Sequence, residues 1–342
     1  MSELVNKPLV EARSVTMSFD LSSGLPFIGQ KRVLKALDGV DLTINPREIV
    51  GLIGESGSGK STLGRCLLRI HAPTGGTIAF DGEDISGMQG EALRRFRQRS
   101  QMIFQDPSTA LNPRMTVGAT IQEHLRNQRY GSRAAVNARV DELFDAISLS
   151  SGMKDRFPHE LSGGQLQRVV IARAIATNPD FVVADEPVSA LDVSVRAQVL
   201  NLIRQLQERL GLALLFISHD LSVIAHVSQR IAVMYLGRIV ELTDRETLFR
   251  APMHPYTHAL LSAVPIADPV RERTRKRIVL QGEIPSPLNL PSGCSMHGRC
   301  PRATVICQQV TPELVPMASN HWAACHHPGP PAIQTIPVAA MA

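Results

Sequence analysis

The stretch GLIGESGSGKST constrains the fold of this chain most, because it holds a complete GxxxxGK[ST] motif between an apolar run and a helical run. Glycines let backbone N–H groups turn inward around phosphate oxygens, and the N-terminus of the following helix adds partial positive charge. The alternative is a glycine-rich turn that carries a lysine by chance. The motif favours a nucleotide site, in which Lys60 contacts the β- and γ-phosphates and Ser61 binds Mg²⁺. The predicted nucleotide-binding residues are Gly54, Glu55, Ser56, Gly57, Ser58, Gly59, Lys60, Ser61 and Thr62.

The string FVVADEP predicts a second half of the same site. Its apolar residues indicate a buried strand that ends at Asp185, and ligands of α/β proteins bind at that end of a strand. Asp185 is placed there to hold Mg²⁺, directly or through water, and Glu186 to polarise an attacking water as general base. Such a string alone would also suit a surface strand end. Together with the phosphate loop it favours the catalytic interpretation.

Apolar strand-like runs alternate with helical runs over most of the chain. DFVVADEP and ALLFISHD each follow a helical stretch, which is typical of an α/β unit with a parallel core sheet. The 342 residues are enough for two units. Near residue 251 prolines, histidines and cysteines accumulate and the periodicity fades. This change predicts a boundary at about 245–255, with a smaller irregular module after it.

Charge and hydropathy patterns exclude several classes of protein. The first residues, MSELVNKPLVEARS, lack the apolar core of a signal peptide. The runs LALLFI and IAVMYL are much shorter than the roughly 20 residues that cross a bilayer. We therefore expect a cytosolic chain. RRFRQR, residues 94–99, is not accompanied by base-stacking aromatics, so it predicts a solvated helix face and no nucleic-acid partner.

Four of the five cysteines lie close together in the late part of the chain, with the spacing C-x5-C-x6-C-x17-C. Disulfides are disfavoured in the cytosol, and the close cysteine pairs of zinc ribbons are missing here. Four thiolates suit an iron–sulfur cluster, while a zinc site that uses His297, His321 or His326, or cysteines without a metal, are the alternatives. The candidate ligands are Cys294, Cys300, Cys307 and Cys325.

The stretch LSGGQLQRVVIARAIATNPDFVVADEPVSALD, residues 161–192, resembles the ATP-binding subunits of ABC transporters. It holds the LSGGQ signature, the strand that ends in Asp185-Glu186 and the loop SALD in the family's order and spacing. Gln105 in IFQDP and His219 in FISHD match the family's Q-loop and switch histidine. The resemblance implies an α/β fold of the ABC-type phosphate-loop NTPase class. That fold has a RecA-like parallel-sheet core, an antiparallel β subdomain and an inserted helical subdomain.

The resemblance also implies a mechanism. Two ATPase domains pair head to tail, and each ATP lies between the phosphate loop of one and the signature of the other. Glu186 would be the base, His219 would contact the γ-phosphate, and Gln105 would sense Mg²⁺ or water. Phe19 resembles the aromatic residue that stacks on adenine, with a core phenylalanine as the alternative. The implied signature residues are Ser162, Gly163, Gly164 and Gln165, and the implied D-loop residues are Ser189, Ala190, Leu191 and Asp192.

Further stretches, such as HPYTHALLSAVP and GEIPSPLNLPSGC, are similar to the dipeptide, oligopeptide and nickel branch of the importers. This likeness implies two permease subunits, a second ATPase and an external solute-binding protein. It places the chain at the cytoplasmic face of the bacterial inner membrane, as a peripheral subunit. It also implies a [4Fe–4S] cluster at the late cysteines. Import of another solute such as nickel, or a soluble ABC ATPase outside transport, are the alternative functions.

The expected domain organisation follows from these assignments. The ABC ATPase domain spans residues 10–250, with its helical subdomain at about 106–165. A C-terminal module of the oligopeptide-transporter type spans 251–328 and carries the predicted metal site, and a tail spans 329–342.

Overall fold

A computed structural model describes residues 7–21, 32–265, 268, 272–273 and 277–329. The chain forms two compact units. The first comprises the described residues up to Val10, Ile44–Ile49 and Phe80–Ile217, and the second comprises Glu11–Thr43, Val50–Ala79 and the described residues from Ser218 onward. Apart from Gly329, the predicted tail lies outside the described residues. Within the described part of the chain, no helix is both long and apolar enough to cross a membrane.

The first unit contains three parallel strands that lie side by side. They are β6 (Ser100–Ile103), β7 (Phe181–Asp185) and β8 (Ala213–Ile217), with β7 in the middle. Every residue of β7 and β8 is buried, as the continuous apolar runs of their sequences predict. The register pairs Asp185 with Ile217, so the two strands end together.

The remaining elements of this unit are a two-residue strand and six helices. They are β5 (Glu83–Asp84), α2 (Gly90–Arg99), α3 (Pro107–Ala110), α4 (Val117–Asn127), α5 (Arg133–Ala146), α6 (Gly163–Ala174) and α7 (Val193–Leu210). Two 3₁₀ turns, Ser151–Asp155 and Pro158–Glu160, precede α6. Thr116 and Ser132 cap α4 and α5 with their hydroxyl oxygens, which accept an N–H bond in the first turn.

The second unit contains the other strands. They are β1 (Val10–Asp20), β2 (Val33–Ile44), β3 (Ile49–Ile53), β4 (Gly75–Phe80), β9 (Arg230–Tyr235), β10 (Arg238–Asp244), β11 (Val315–Ala318) and β12 (His321–Ala323). One sheet has the order β2-β1-β4. In the other, β9 pairs parallel with β3 and antiparallel with β10, and β10 and β11 both pair antiparallel with β12.

The helices of the second unit are short. They are α1 (Lys60–Leu67), α8 (Leu221–Val227), α9 (Arg245–Arg250), α10 (Pro255–Ala263) and α11 (Val305–Gln309), with a 3₁₀ turn at His297–Arg299. Because β12 pairs with β10, the cysteine-bearing segment shares a sheet with the strands before it.

A buried hydrogen bond between two side chains reinforces the β10–β12 pairing. Glu241 on β10 is completely buried, and His321 of β12 donates to its carboxylate at 2.8 Å. The backbone N–H groups of Met253 and His254 donate to the same carboxylate at 2.7 and 3.0 Å. A buried carboxylate is stable only with such partners, so this residue joins β10, β12 and the segment that leads into α10.

Candidate functional site

The glycine-rich loop runs from β3 into α1, as its sequence predicts. Gly54 is enclosed, because a Cβ atom there would lie 2.1 Å from the carbonyl oxygen of Met234. Gly59 has a left-handed φ of 104° and precedes the first residue of α1. Gly59, the N-cap residue, has no side chain that could cap this helix. Ser56 and Gly57 form an exposed tip, with open space beside Gly57. The loop has the form of an anion cradle.

Lys60 is buried within this loop, with only 6% of its surface exposed. Its ammonium group donates to the carbonyl oxygens of Gly54 at 2.8 Å and Glu55 at 2.9 Å. These bonds hold the charged group across the loop, where it adds positive charge to the cradle. Ser61 and Thr62, which follow Lys60 in the first turn of α1, are half-buried.

In the first unit, the structure brings Gln105 and Glu186 together at the end of β7. Gln105 Nε2 donates to Glu186 Oε2 at 3.1 Å. Asp185, the last residue of β7, is buried with 3% exposure. Glu186 has a left-handed φ of 47°, and its N–H donates to the carbonyl of Ile217 at 3.0 Å. A non-glycine residue in this region of φ is strained, and such strain occurs often at functional sites.

The signature residues begin α6. Ser162 is the N-cap: its hydroxyl accepts the N–H of Gln165, and the Gln165 side chain accepts the N–H of Ser162 at 3.0 Å. This reciprocal pair is a capping box, so Gln165 has a structural role in this chain. Ser162 and Gly163 are exposed. A Cβ atom on Gly164 would lie 2.4 Å from Val195 Cγ1 of α7, which explains a small residue at this position.

The D-loop lies between β7 and α7. Ser189 donates its hydroxyl to the carbonyl of Glu186 at 3.1 Å, so the loop is tied to the end of the strand. Leu191 is buried and lies 3.8 Å from a Cβ position on Gly163. Ala190 and Asp192 are exposed, and Asp192 is the N-cap residue of α7.

Phe19 and His219 belong to the second unit. Phe19 lies on β1, is half-buried, and contacts His71 edge to face with ring centroids 5.7 Å apart. His219 is exposed, and Asp220 after it caps α8 through the N–H of Ser222.

The predicted [4Fe–4S] cluster is wrong. Cys294, Cys300, Cys307 and Cys325 line one cavity, but its volume is only about 10 Å³. Such a space has room for about one water molecule. Within the described ranges, no group of three or more Cys, His, Asp or Glu side chains is arranged to hold a metal ion. The C-terminal module is therefore not the metal-binding module that the sequence suggested.

Burial changes the acidity of three of these cysteines. It raises the pKa of the Cys325 thiol to about 11, and it also raises the pKa of Cys294 and Cys300. The segment is held by backbone contacts, such as the bond from the Cys294 N–H to the Cys307 carbonyl at 2.8 Å.

The zinc alternative has no support either. Each candidate histidine uses a ring nitrogen in a bond to another group. His297 Nδ1 bonds the carbonyl of Cys294 at 2.9 Å, and His326 Nε2 bonds that of Val310 at 2.8 Å. His321 Nε2 is bonded to Glu241, as described above.

Comparison with known proteins agrees with this geometry. The model of the ABC transporter family matches residues 37–189, and that of the oligopeptide/dipeptide transporter C-terminal region matches residues 240–307. Oligopeptide transport ATP-binding protein AppF of Bacillus subtilis (strain 168) is 47% identical over 329 residues, which are 95% of this chain and 99% of AppF.

Solved structures show the same fold. The ATP-binding cassette MJ0796, in a dimeric post-hydrolysis state bound to ADP and Pi, matches with a TM-score of 0.61 at 28% identity, over 69% of this chain and 98% of that chain. The protein cbiO1 from Clostridium perfringens, part of the ABC transporter complex cbiONQ, matches with a TM-score of 0.61 at 25% identity, over 71% of this chain and 90% of that chain.

The fold and the phosphate loop define an ABC-type ATPase, with ATP and Mg²⁺ as its substrate and ion. Within that class, the chain belongs to the oligopeptide/dipeptide transporter family of ATP-binding proteins. The resemblance based on the LSGGQ stretch and the predicted ABC cassette fold, with its mixed α/β sheets, are thereby confirmed.

Three residues near the phosphate loop were not predicted from the sequence. Tyr235, Tyr256 and Arg299 surround Glu55, and two of them bond it directly. Tyr256 lies in the stretch HPYTHALL, and Arg299 stands before Cys300. No sequence pattern in either stretch indicates a contact with a loop more than 200 residues earlier.

Proposed function

We propose that this chain is the ATP-hydrolysing, energy-coupling subunit of a bacterial importer for dipeptides or oligopeptides. The observation that carries the proposal is the contact between Gln105 and Glu186, directly after the buried Asp185. A carboxylate held by an amide donor at the end of a parallel strand is suited to act on a water molecule. The combination of a cassette with an oligopeptide-transporter C-terminal region supports the peptide assignment.

The proposed reaction is transfer of the γ-phosphoryl group of ATP to water. The loop Gly54–Thr62 binds the phosphates, and Lys60 compensates their charge. Ser61, Asp185 and Gln105 would hold Mg²⁺, which would compensate negative charge on the phosphate oxygens. Glu186 accepts a proton from the attacking water, and the water oxygen bonds to the γ-phosphorus. The bond between the γ-phosphorus and the β,γ-bridging oxygen breaks, which gives ADP and phosphate.

The proposed working unit contains two cassettes placed head to tail. Each ATP lies between the phosphate loop of one and the signature of the other, and His219 contacts the γ-phosphate. The exposed Ser162 and Gly163, at the beginning of α6, are accessible for such an interaction. Leu191 of the D-loop lies 3.8 Å from a Cβ position on Gly163 of the signature, which supports a coupling of one site to the other through Ser189–Asp192. Phe19 stacks on adenine.

The test is the variant Glu186→Gln, which keeps the shape of the side chain and removes the base. ATP binding should be retained, and steady-state hydrolysis should fall by about 10²–10⁴-fold. Glu208→Gln, an exposed change with side-chain exposure of 69%, is the matched control and should hydrolyse ATP normally. A Glu186→Gln enzyme with a turnover rate close to that of the wild type would exclude this residue as the base.

We also propose the partners and the location. The chain works with two membrane permease subunits, a second homologous ATPase and, through the complex, a periplasmic or extracellular solute-binding protein. It lies at the cytoplasmic face of the inner membrane as a peripheral subunit. Residues 10–250 form the ATPase domain, with the helical subdomain at about 106–165, and 251–328 form the C-terminal module.

Cargo is the point at which the alternatives differ. Deletion of the gene should abolish growth on a dipeptide as the only amino-acid source. Normal growth together with a defect in nickel uptake would favour the nickel alternative. Neighbouring genes for permeases and a binding protein would exclude a soluble ABC ATPase outside transport.

A further inference from the structure

The carboxylate-bearing residue of the phosphate loop, Glu55, is held by residues from the far end of the chain. Its backbone N–H donates to the hydroxyl of Tyr256 at 2.8 Å. Both terminal nitrogens of Arg299 donate hydrogen bonds to its carboxylate, with Nη1 3.0 Å from Oε2 and Nη2 3.4 Å from Oε1. Such a two-pronged contact fixes orientation as well as distance.

The surroundings of this ion pair are largely closed to solvent. The Arg299 side chain is 10% exposed and that of Glu55 is 27% exposed. Arg299 Nη1 also donates to the hydroxyl of Tyr235 at 3.3 Å. The rings of Tyr235 and Tyr256 contact each other with centroids 4.8 Å apart, and both residues are buried. Water screens this pair less than a surface pair, so the loss of one partner has a larger effect.

Glu55 also connects this ion pair to Lys60. The carbonyl oxygen of Glu55 accepts the ammonium group of Lys60 at 2.9 Å. Every polar group of Glu55 is therefore engaged: the N–H by Tyr256, the carboxylate by Arg299 and the carbonyl by Lys60. A displacement of Glu55 would displace the acceptor of the lysine.

Charge gives a second reason for the contact. A carboxylate beside a site for a polyphosphate repels the ligand, because like charges at short distance disfavour each other. The guanidinium of Arg299 compensates that charge. The side chain of Glu55 without its partner would lower the affinity of the loop for nucleotide.

We propose that Arg299 is a positioning residue of the phosphate loop, which fixes and neutralises Glu55 so that the loop can bind a nucleoside triphosphate. The inference rests on the proposed function, in that the ligand of this loop is ATP. It gives the C-terminal segment a role in nucleotide binding, in place of the metal binding that its cysteines suggested. Arg299 does not touch the reacting atoms and acts through Glu55.

The first experiment measures equilibrium binding of MgATP to the purified full-length chain. Arg299→Ala should raise the Kd by about tenfold, because it removes a charge-assisted contact and leaves a carboxylate uncompensated. Arg299→Lys keeps the charge without the two-pronged geometry and should give an intermediate Kd. Arg302→Ala removes the same charge three residues later, where the guanidinium donates to the carbonyl of Gly329 at 3.2 Å, and should bind as the wild type does.

The second experiment separates positioning from a general loss of folding. In the background Glu55→Gln, the change Arg299→Ala should cost less than threefold in Kd, because no uncompensated charge is created. In the assembled transporter, Arg299→Ala should raise KM for ATP and leave kcat at saturating ATP within about twofold. Damage to the fold would lower kcat as well, and Glu55→Gln would not restore binding.

Each outcome decides the inference. An unchanged Kd for Arg299→Ala, or an equal loss in the presence and absence of Glu55→Gln, would overturn the role of Arg299 while ATP binding by the wild type still stands. Failure of the wild-type chain to bind MgATP would instead overturn the proposed function. If Arg299→Ala does not fold, Arg299→Lys replaces it. The Kd for MgATP is then compared with and without Arg299→Lys, once in the wild-type chain and once in the Glu55→Gln chain, and the same criteria apply.

Discussion

Replacing Glu241 with alanine should detach the C-terminal strand from the rest of its sheet. The change leaves His321 Nε2 and the N–H groups of Met253 and His254 without their acceptor; both histidines are buried, and Met253 is partly buried. Each buried donor without a partner costs about 1–3 kcal/mol. Partial relaxation lowers the sum, so we expect a loss of about 3–5 kcal/mol in the free energy of unfolding. Glu241→Gln keeps an acceptor oxygen and should cost about 1–2 kcal/mol.

The single tryptophan of the chain makes this prediction measurable. Trp322 lies on β12 and is paired with Leu242 of β10. Its fluorescence during denaturant unfolding therefore reports on the strand pairing, while circular dichroism reports on the helices. Glu246→Gln, an exposed change on α9, is the control. The reasoning is refuted if the tryptophan transition of Glu241→Ala coincides with that of the wild type.

The same residue predicts an acid-side loss of stability. Burial tends to raise the pKa of Glu241, but the hydrogen bond from His321 and the N–H groups of Met253 and His254 outweigh it and hold the pKa below its usual value. The pKa of Glu241 is lower in the folded chain than in the unfolded chain. Its contribution to the free energy of unfolding is therefore fully present at pH values above the usual pKa of glutamate, and it disappears as the pH falls through the folded pKa. Glu241→Gln should make the free energy of unfolding less dependent on pH in that acidic range.

Three further predictions concern the loop, the signature and a buried histidine. Gly54→Ala would place Cβ 2.1 Å from the Met234 carbonyl, so it should lower the free energy of unfolding by about 1–3 kcal/mol and weaken MgATP binding, as seen by denaturation and titration. Ser162→Ala should cost about 1 kcal/mol by loss of the α6 cap, whereas Ser162→Asp should keep that stability and still lose ATP hydrolysis through its charge. Burial lowers the pKa of His254 to about 4, so the stability should fall by about 2 kcal/mol between pH 7 and pH 5 as the unfolded histidine gains a proton. His254→Asn, which retains an acceptor for the Tyr256 N–H, should remove that dependence, and an unchanged pH profile in this variant would contradict the assignment.

The local features of the fold were predictable because each depends on neighbouring residues. The apolar runs of β7 and β8 are buried, and the glycine-rich loop has a left-handed Gly59. The pattern S-x-x-Q at Ser162 also contains its capping box in the sequence itself. These features are determined by periodicity and by local hydrogen bonds, and both can be read over a few residues.

The contacts that the sequence did not indicate are between distant residues. Nothing near Glu241 or Glu55 predicts His321 or Arg299 as a partner, since the pairs are separated by 80 and 244 positions. The cysteines show a different limitation. Their grouping in the chain suggested a metal, but the ability of a thiol to bind one depends on burial and on the space around it. Both properties arise only after folding.

The long separation between Glu55 and its partners has a consequence for synthesis on the ribosome. The ribosome adds Tyr256 and Arg299 only 201 and 244 residues after Glu55 of the phosphate loop. N-terminal segments fold first during translation, so the early loop exists for a time without its two anchors. If Arg299 positions the loop as proposed, an unfinished chain binds ATP weakly. The full affinity of the loop for ATP is then reached only in chains whose C-terminal segment has been made and folded into place.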